Sequence, residues 1–357
     1  MIEKKIPDQK VKNVVPFPLS KKENLRIIFM GTPDFAMASL DKLVQSGYNI
    51  VGVITAPDKP GGRGMALQQS AVKKYAVENN LKVLQPEKLK NPQFLEELKA
   101  LKADVQVVVA FRMLPEVVWK MPPMGTINVH GSLLPQYRGA APINWAIING
   151  EKFTGVTTFK LQHEVDTGNI LMAEKIIIED DETAGELHDK MKEVGAGLLL
   201  KTLKGLEDGS LKETVQESMV NSQQSTDEIT EAKKNGSGGS PFTIHHPPLQ
   251  HAPKIFTDTC QVNFTKTVDE VYNLIRGLSP YPAAFTFLNG KKLKLYKVNK
   301  VNEVEKVEKV NTEEFKTDGK TFLHFACSNG FIAVKELQLE GKKKMNTEDF
   351  LRGYRFT

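Results

Sequence analysis

The most constraining feature of the sequence is an alternation between short apolar runs and amphipathic helical patterns across residues 25–210. Runs rich in β-forming residues lie at 25–30, 48–55, 103–110 and 126–130, with helical patterns between the first three. The run "VQVVVA" is apolar on both faces, which is typical of a strand buried in a parallel sheet. The alternation therefore predicts an α/β domain with a doubly wound, mostly parallel sheet.

Two helix starts carry local signals. Thr32 is expected to cap the first helix, with Pro33 at its first position. Thr267 and Glu270 have the T-x-x-E spacing of a capping box, which predicts a second helix start far along the chain.

The C-terminal part of the chain has a different pattern. Asn289-Gly290 separates two strand patterns and predicts a type I′ hairpin, and the later runs "TFLHFAC" and "FIAVKELQL" predict further strands of a small β-barrel or sandwich. Residues 221–251 are rich in Ser, Gly, Asn and Pro and favour a flexible linker. We therefore expect four parts: a mobile tail (1–24), a first domain (25–210), a linker (211–252) and a β domain (253–357).

Charge and cysteine content narrow the class of protein. A net charge of +5 permits an anionic partner such as nucleic acid without requiring one. Cys260 and Cys327 have no C-x-x-C spacing, so neither a disulfide scaffold nor a structural zinc site is expected. No apolar run has the length of a signal sequence or a membrane span, so we expect a cytoplasmic protein that does not enter the membrane.

Familiar cofactor motifs are missing from the sequence. The turn after the first strand is "GTPDFA", not the G-x-G-x-x-G of a dinucleotide site, and there is no Walker motif. His245, His246 and His251 lack acidic or thiol partners at ligand spacing and are interpreted as loop residues. We therefore expect no metal and no redox cofactor.

Asn128 and His130 are the first candidate site residues. Because side chains alternate along a strand, both point to the same side of the run "TINVH". They also lie at the carboxyl end of that strand, where open α/β sheets bind ligands. An amide can donate to a developing oxyanion, and an imidazole can carry a proton near neutral pH. The pair suits attack on a carbonyl, although a structural histidine is an equal alternative.

Asp166 is the third candidate, in the stretch "HEVDTGNIL". If its loop folds over the end of the sheet, the carboxylate can favour the charged form of His130 and help to accept protons. The alternative is a turn residue that binds its own backbone. Ser132 is not in a G-x-S-x-G motif, so the nucleophile is expected to arrive with the substrate.

With these residues assembled, the chain resembles the methionyl-tRNA formyltransferase family from residue 25 onward. The resemblance rests on "IIFMGTPDFA", "HGSLLPQYRGAAPINWAIINGE", "DTGNIL", "APKIF" and "GKKKMNTEDFL", in that order. It implies a Rossmann-like formyltransferase domain followed by an OB-like β-barrel. It also implies formyl transfer from 10-formyltetrahydrofolate to the α-amino group of methionyl initiator tRNA, with Asn128, His130 and Asp166 as the catalytic residues.

The resemblance also implies where the folate binds. Ser132, Leu133, Leu134 and Pro135 are expected to line its site, and the backbone of residues 110–114 is expected to face the pterin. Within the latter stretch, Phe111, Arg112 and Met113 depart from the pattern of many relatives and are closer to glycinamide ribonucleotide transformylase. Arg112 is expected either to reach an anion of a ligand or to point into solvent.

The implied tRNA contacts are Lys59 and Arg63, in the loop 57–70, and Lys254. Met65 and Ala66 stand where many relatives carry lysine, so a lysine-rich hairpin at 291–297 is a second candidate for electrostatic attraction. We expect the protein to act as a monomer.

Two other functions stay open at this point. One is a formyltransferase for a small amine, either glycinamide ribonucleotide or an amino-sugar nucleotide. The other is a non-catalytic RNA-binding protein, which would have no use for the Asn128, His130 and Asp166 set. A strong salt dependence of substrate binding would favour tRNA over a small amine.

Overall fold

The computed structural model describes residues 25–61, 66–216, 248–301 and 315–355. Its first half is built on five parallel strands: β1 (Arg26–Gly31), β2 (Asn49–Ile54), β5 (Val83–Leu84), β6 (Val105–Val109) and β7 (Thr126–His130). Two antiparallel strands, β9 (Phe153–Lys160) and β10 (Ile170–Ile177), extend the sheet beyond β7. The strand order is β10-β9-β7-β6-β1-β2-β5, which confirms the predicted mostly parallel sheet.

Helices cover both faces of this sheet. They are α1 (Asp34–Gln45), α2 (Ala71–Glu78), α3 (Pro92–Ala100), α4 (Glu116–Trp119), α5 (Pro142–Ile148) and α6 (Ala184–Glu207). Strand β1 shows why both faces need cover, because Ile27 and Phe29 belong to one buried cluster while Ile28 and Met30 belong to another. The first cluster includes residues of α1 and α6, and the second includes residues of α3 and α4. The sheet is therefore doubly wound.

The start of α1 differs from the prediction. The residue that precedes the helix is Pro33, in an extended conformation with ψ 179°, and the helix begins at Asp34 without a side-chain cap. The predicted cap by Thr32 is wrong because Pro33 occupies the capping position and leaves Thr32 outside the helix. The predicted capping box is confirmed, since Thr267 accepts from the Glu270 amide and Glu270 accepts from the Thr267 amide.

The second half is an antiparallel OB-like domain. Its strands are β12 (Ala284–Leu288), β13 (Lys291–Val301), β14 (Phe315–Thr317), β15 (Leu323–Cys327), β16 (Gly330–Leu339) and β17 (Met345–Asn346). They form one sheet in the order β12-β13-β16-β15-β14, with β17 also paired to β16. Helices α7 (Val268–Leu278) and α8 (Thr347–Gly353) pack against its core. Asn289 and Gly290 have φ angles of 47° and 74°, as a type I′ turn requires, which confirms the hairpin.

The two halves are joined by polar contacts as well as by packing. Helix α5 lies against α7, where the Asn144 amide donates to the Gly277 carbonyl at 2.7 Å. The buried Arg276 guanidinium donates to the carbonyls of Glu179 and Glu182. Charge-assisted hydrogen bonds of this kind fix orientation, so these contacts hold the β domain against the first domain.

Two further short pairs of strands complete the described fold. Strands β3 (Lys59–Gly61) and β4 (Ala66–Gln68) form a hairpin, and β8 (Arg138–Gly139) pairs in parallel with β11 (His251–Ala252). The predicted mobile tail and residues 217–247 of the predicted linker lie outside the described residues. Among the residues that the structure describes, none of the helices combines the length and apolar character that crossing a bilayer requires.

Candidate active site

A cavity of about 730 Å³ opens at the carboxyl ends of β6 and β7. One part of its wall is apolar and includes Val108, Phe111, Leu114 and Trp119. Other lining residues are polar and come from the end of β7 and from the loop after β9. The size and the mixture of surfaces are those of a pocket for a small organic ligand.

Asn128 and His130 both line this cavity, as the strand alternation predicts. The His130 ring is buried, and its Nε2 donates to the Tyr137 carbonyl at 2.9 Å. That hydrogen bond leaves Nδ1 as the nitrogen that exchanges protons. The Asn128 side chain makes no hydrogen bond to any residue in the described ranges, so its amide can donate to a bound molecule.

Asp166 comes from the loop between β9 and β10, and its carboxylate lies next to the His130 ring. Its Oδ2 lies 3.7 Å from His130 Nδ1 and accepts from the Gly139 amide at 3.1 Å. Only 12% of the Asp166 side chain is exposed, so water screens the pair weakly. The structure thus brings Asn128, His130 and Asp166 together at one wall, while their catalytic role stays a prediction.

The loop 136–141 contacts both His130 and Asp166, through the Tyr137 carbonyl and the Gly139 amide. Tyr137 and Gly139 have φ angles of 57° and 128°, so the chain turns sharply here. The Tyr137 hydroxyl donates to Glu151 at 2.6 Å, and burial raises the pKa of this phenol. Gly139 is required because a Cβ at this position would lie 2.4 Å from the Ala252 carbonyl oxygen in β11.

Residues 132–135 are not among the residues that line the cavity. Ser132 is fully buried, and its hydroxyl donates to the Gln136 carbonyl at 2.6 Å. Leu134 packs with Phe159 and Ile170. The predicted folate contacts of Ser132, Leu133, Leu134 and Pro135 stay a prediction.

Residues 111–113 do line the cavity. The Arg112 guanidinium donates to the carbonyls of Pro86 and Glu87 and lies 5.6 Å from the centre of the Phe111 ring. Burial lowers the pKa of Arg112 from its ordinary value. Met113 is 78% exposed at the cavity edge. Arg112 is exposed, and its side chain contacts the loop at 86–87, while a contact with an anion of a ligand stays a prediction.

The predicted tRNA contacts are spread over both domains. Lys59 is exposed on β3, and Arg63 lies outside the described residues. The base of that hairpin is fixed by Asp58, which pairs with Lys73 and accepts from Gln85 at 2.8 Å. Lys254 is exposed in the segment after β11, with its Nζ 5.5 Å from the centre of the exposed Phe256 ring.

Two polar residues next to the Asp166 loop, Gln216 and Arg138, were not predicted from the sequence as site residues. Gln216, inside the predicted linker, is fully buried and donates to the Asp166 carbonyl at 3.0 Å. Arg138 donates to the Gln216 side-chain oxygen at 3.1 Å. Burial lowers the pKa of Arg138, and the nearby Asp166 carboxylate opposes that shift. Only the position of Arg138 in the block "QYRGAAP" hinted at a role.

One group of metal-binding residue types occurs in the described part of the chain. Asp34, His188 and Asp189 present ligand atoms within 4.8 Å of one another. The ammonium group of Lys192 lies 2.9 Å from Asp189 and 3.8 Å from Asp34, so a positive charge is already supplied there. The expectation of no metal stays a prediction.

Comparison with known proteins identifies the family. The model described as formyl transferase matches residues 25–203, and that of the formyl transferase C-terminal domain matches residues 254–355. A methionyl-tRNA formyltransferase of Parabacteroides distasonis is 50% identical over 339 residues, which cover 94% of this chain and 97% of that protein. One from Flavobacterium johnsoniae is 46% identical, with coverages of 94% and 98%.

The fold has counterparts among solved structures. WlaRD, a sugar 3N-formyl transferase solved in the presence of dTDP and 5-N-formyl-THF, superimposes with a TM-score of 0.59 and 19% identity. The match covers 89% of this chain and 99% of that one, and at this identity it establishes the fold alone. Taken with both family models and the sequence relatives, it leads to one conclusion: the chain belongs to the formyltransferase family, and within it to the methionyl-tRNA formyltransferases.

Proposed function

We propose that this enzyme transfers the formyl group of 10-formyltetrahydrofolate to the α-amino group of methionyl initiator tRNA, for the start of translation. The observation that carries the proposal is the meeting of His130 Nδ1 and Asp166 Oδ2 at 3.7 Å beside Asn128 on a cavity wall. Relatives at 46–50% identity that are named for this acceptor support its identity.

The cavity fits a folate as formyl donor. A volume of about 730 Å³ lies within the usual range of roughly 300–1,000 Å³ for pockets of drug-sized ligands. Phe111, Leu114 and Trp119 offer apolar surface to a pterin, and the backbone of Arg112 and Met113 supplies polar groups at its edge. Ser132, Leu133, Leu134 and Pro135 are proposed as further contacts of the folate. The folate, when bound, supplies the electrophilic formyl carbon.

The chain's own residues then handle charge and protons. As the substrate amine attacks, negative charge develops on the formyl oxygen, and Asn128 and protonated His130 donate to it. The Tyr137 carbonyl fixes the His130 ring through Nε2, so Nδ1 faces the reacting groups. Asp166 stabilises the imidazolium and accepts the proton that the amine loses. When the tetrahedral intermediate collapses, the bond between the formyl carbon and N10 of the folate breaks, N10 takes up that proton, and tetrahydrofolate leaves. An α-amine has a pKa of about 7.7–8.0, so a useful fraction is neutral without a strong base.

Positive side chains on both domains are proposed to bind the tRNA. Lys59 would contact it from β3, together with Arg63, and Lys254 from the segment that enters the β domain. A monomer is proposed as the active form. We place the reaction in the cytoplasm, where initiator tRNA is used.

Formylation with defined tRNAs is the direct test of the proposed function. The full-length protein would be incubated with 10-formyltetrahydrofolate and either charged initiator or charged elongator methionyl-tRNA. We expect formylmethionine to be released on hydrolysis of the initiator product and to be nearly absent with the elongator. Formylation of glycinamide ribonucleotide or of an amino-sugar nucleotide, with none of either tRNA, would contradict the proposal.

Salt dependence gives a second prediction. If Lys59, Arg63 and Lys254 neutralise three phosphates, the KM for tRNA should rise about 20- to 40-fold between roughly 50 and 200 mM salt, because the released counterions oppose binding. Replacing all three by alanine should flatten this dependence. A KM for tRNA that is insensitive to salt in the unmodified enzyme would argue against phosphate contacts.

A further inference from the structure

Gln216 lies in a position that connects the two loops of the candidate active site. It is fully buried just after the first domain, between the loop that carries Asp166 and the loop that contains Arg138. We propose that Gln216 is a positioning residue that holds Asp166 against His130. This inference rests on the proposed function, in which Asp166 assists His130.

The hydrogen bonds of the Gln216 side chain match what only an amide can offer. Its Nε2 donates to the Asp166 carbonyl at 3.0 Å and to the Gly168 carbonyl at 2.7 Å. Its Oε1 accepts from Arg138 Nε at 3.1 Å and from Arg138 Nη2. The NH₂ group thus donates to two backbone carbonyls, and the oxygen accepts from one cationic side chain. A carboxylate would serve Arg138 but would repel both carbonyls.

The Asp166 loop requires such a support. Asp166 has a φ of 56°, in the left-handed region that a non-glycine residue rarely adopts. Conformations of this kind persist only where the surrounding contacts impose them. Two residues later, Gly168 is pressed against the backbone of Lys160. The Gln216 amide bridges the carbonyls of Asp166 and Gly168 and so opposes relaxation of the loop.

Gln216 is itself held in place by the residues before it. Thr214 exchanges two backbone hydrogen bonds of 2.8 Å with Ile170. Glu213 accepts from the Asn169 side chain at 2.9 Å and pairs with Lys160 at 2.5 Å. Residues 213–216 therefore run along the Asp166 loop as a fixed segment, and Gln216 ends it at the carboxylate-bearing residue.

The second loop closes the connection on the other side of Asp166. Arg138, which Gln216 accepts from, precedes Gly139, whose amide donates to Asp166 Oδ2 at 3.1 Å. The backbone of Asp166 is thus held through Gln216 and its carboxylate through Gly139. If the Gln216 contacts are lost, the carboxylate should move relative to His130 while the cavity wall around Phe111 stays in place.

The test compares Gln216→Met and Gln216→Glu with the unmodified enzyme. Methionine keeps the volume and removes all the hydrogen bonds, and glutamate keeps only the acceptor for Arg138. We expect kcat to fall about tenfold or more in both, since small misplacements of catalytic groups cost up to about 10²-fold, while both KM values stay within about twofold. Gln106→Met is the matched control, because Gln106 is also buried but lies in β6, where its Oε1 accepts from Thr126. The kcat of Gln106→Met should be unchanged even if its Tm falls as much as that of Gln216→Met.

A double-mutant cycle separates positioning from general destabilisation. If Gln216 acts through Asp166, the kcat of the double variant Gln216→Met/Asp166→Ala should lie within about threefold of the kcat of Asp166→Ala alone. If the kcat reductions of the two single variants multiply in the double variant, the proposal is overturned. It is also overturned if Gln216→Met and Gln216→Glu keep the kcat of the unmodified enzyme while Asp166→Ala is slow. An Asp166→Ala variant with full turnover would instead overturn the proposed role of Asp166 and, with it, this inference. If Gln216→Met does not fold, Gln216→Glu carries the same comparison.

Discussion

Replacement of His130 by alanine is expected to lower kcat by about 10²-fold or more, the scale of losing a group that carries protons or stabilises an oxyanion. The ring is buried at the cavity wall, with Nε2 on the Tyr137 carbonyl and Nδ1 facing Asp166, so no neighbouring side chain can replace it. Because the tRNA contacts are proposed on other surfaces, the affinity for methionyl-tRNA should change little. Single-turnover formylation and equilibrium tRNA binding, measured on the same preparation, check both parts.

His324→Ala is the matched control for this variant. His324 lies in β15 of the OB-like domain, on a different sheet from β7, so the same truncation should leave kcat within about twofold. A His130→Ala enzyme that turns over as fast as the unmodified protein would refute the catalytic assignment. Loss of tRNA binding at unchanged kcat would assign His130 to recognition instead.

Gly168→Ala is expected to be nearly as damaging, although this residue carries no functional group. A Cβ at Gly168 would lie 1.6 Å from the Lys160 carbonyl oxygen and 2.8 Å from its carbon, so the backbone must move. Overpacking of this kind destabilises by about 1–3 kcal/mol, and it would displace Asp166 two residues earlier. We expect a lower Tm and a kcat reduced by about 10²-fold, measured by thermal unfolding and formylation assays.

Gly197→Ala provides the comparison. Gly197 is in α6, and a Cβ there would meet nothing within 4 Å. The same substitution should therefore stabilise the helix by about 0.5–1 kcal/mol and leave activity intact. If Gly168→Ala showed wild-type kcat and Tm, the close approach of the two backbones would not be needed to place Asp166.

Much of the first domain followed from local pattern. Apolar residues on both faces of "VQVVV" identified a buried parallel strand, and side-chain alternation placed Asn128 and His130 on the same side of β7. These features depend on a strand's own geometry, so a single segment of sequence is enough to predict them. The cap of α1 was missed because extended Pro33, not Thr32, occupies the capping position.

The sequence by itself determined the alternation of strands and helices in the first domain, the placement of Asn128 and His130 on the same side of β7, and the family. Each of these rests on contiguous residues. Only the tertiary structure decided that Asp166 reaches His130, that residues 132–135 are not among the lining residues of the cavity, and that Arg112 donates to the carbonyls of Pro86 and Glu87. It also placed Gln216, from a stretch without any pattern, behind the Asp166 loop. These contacts join residues far apart in the chain, and their geometry is set by how the sheet, the loops and the returning segment at 250–252 pack together. No local periodicity carries that information.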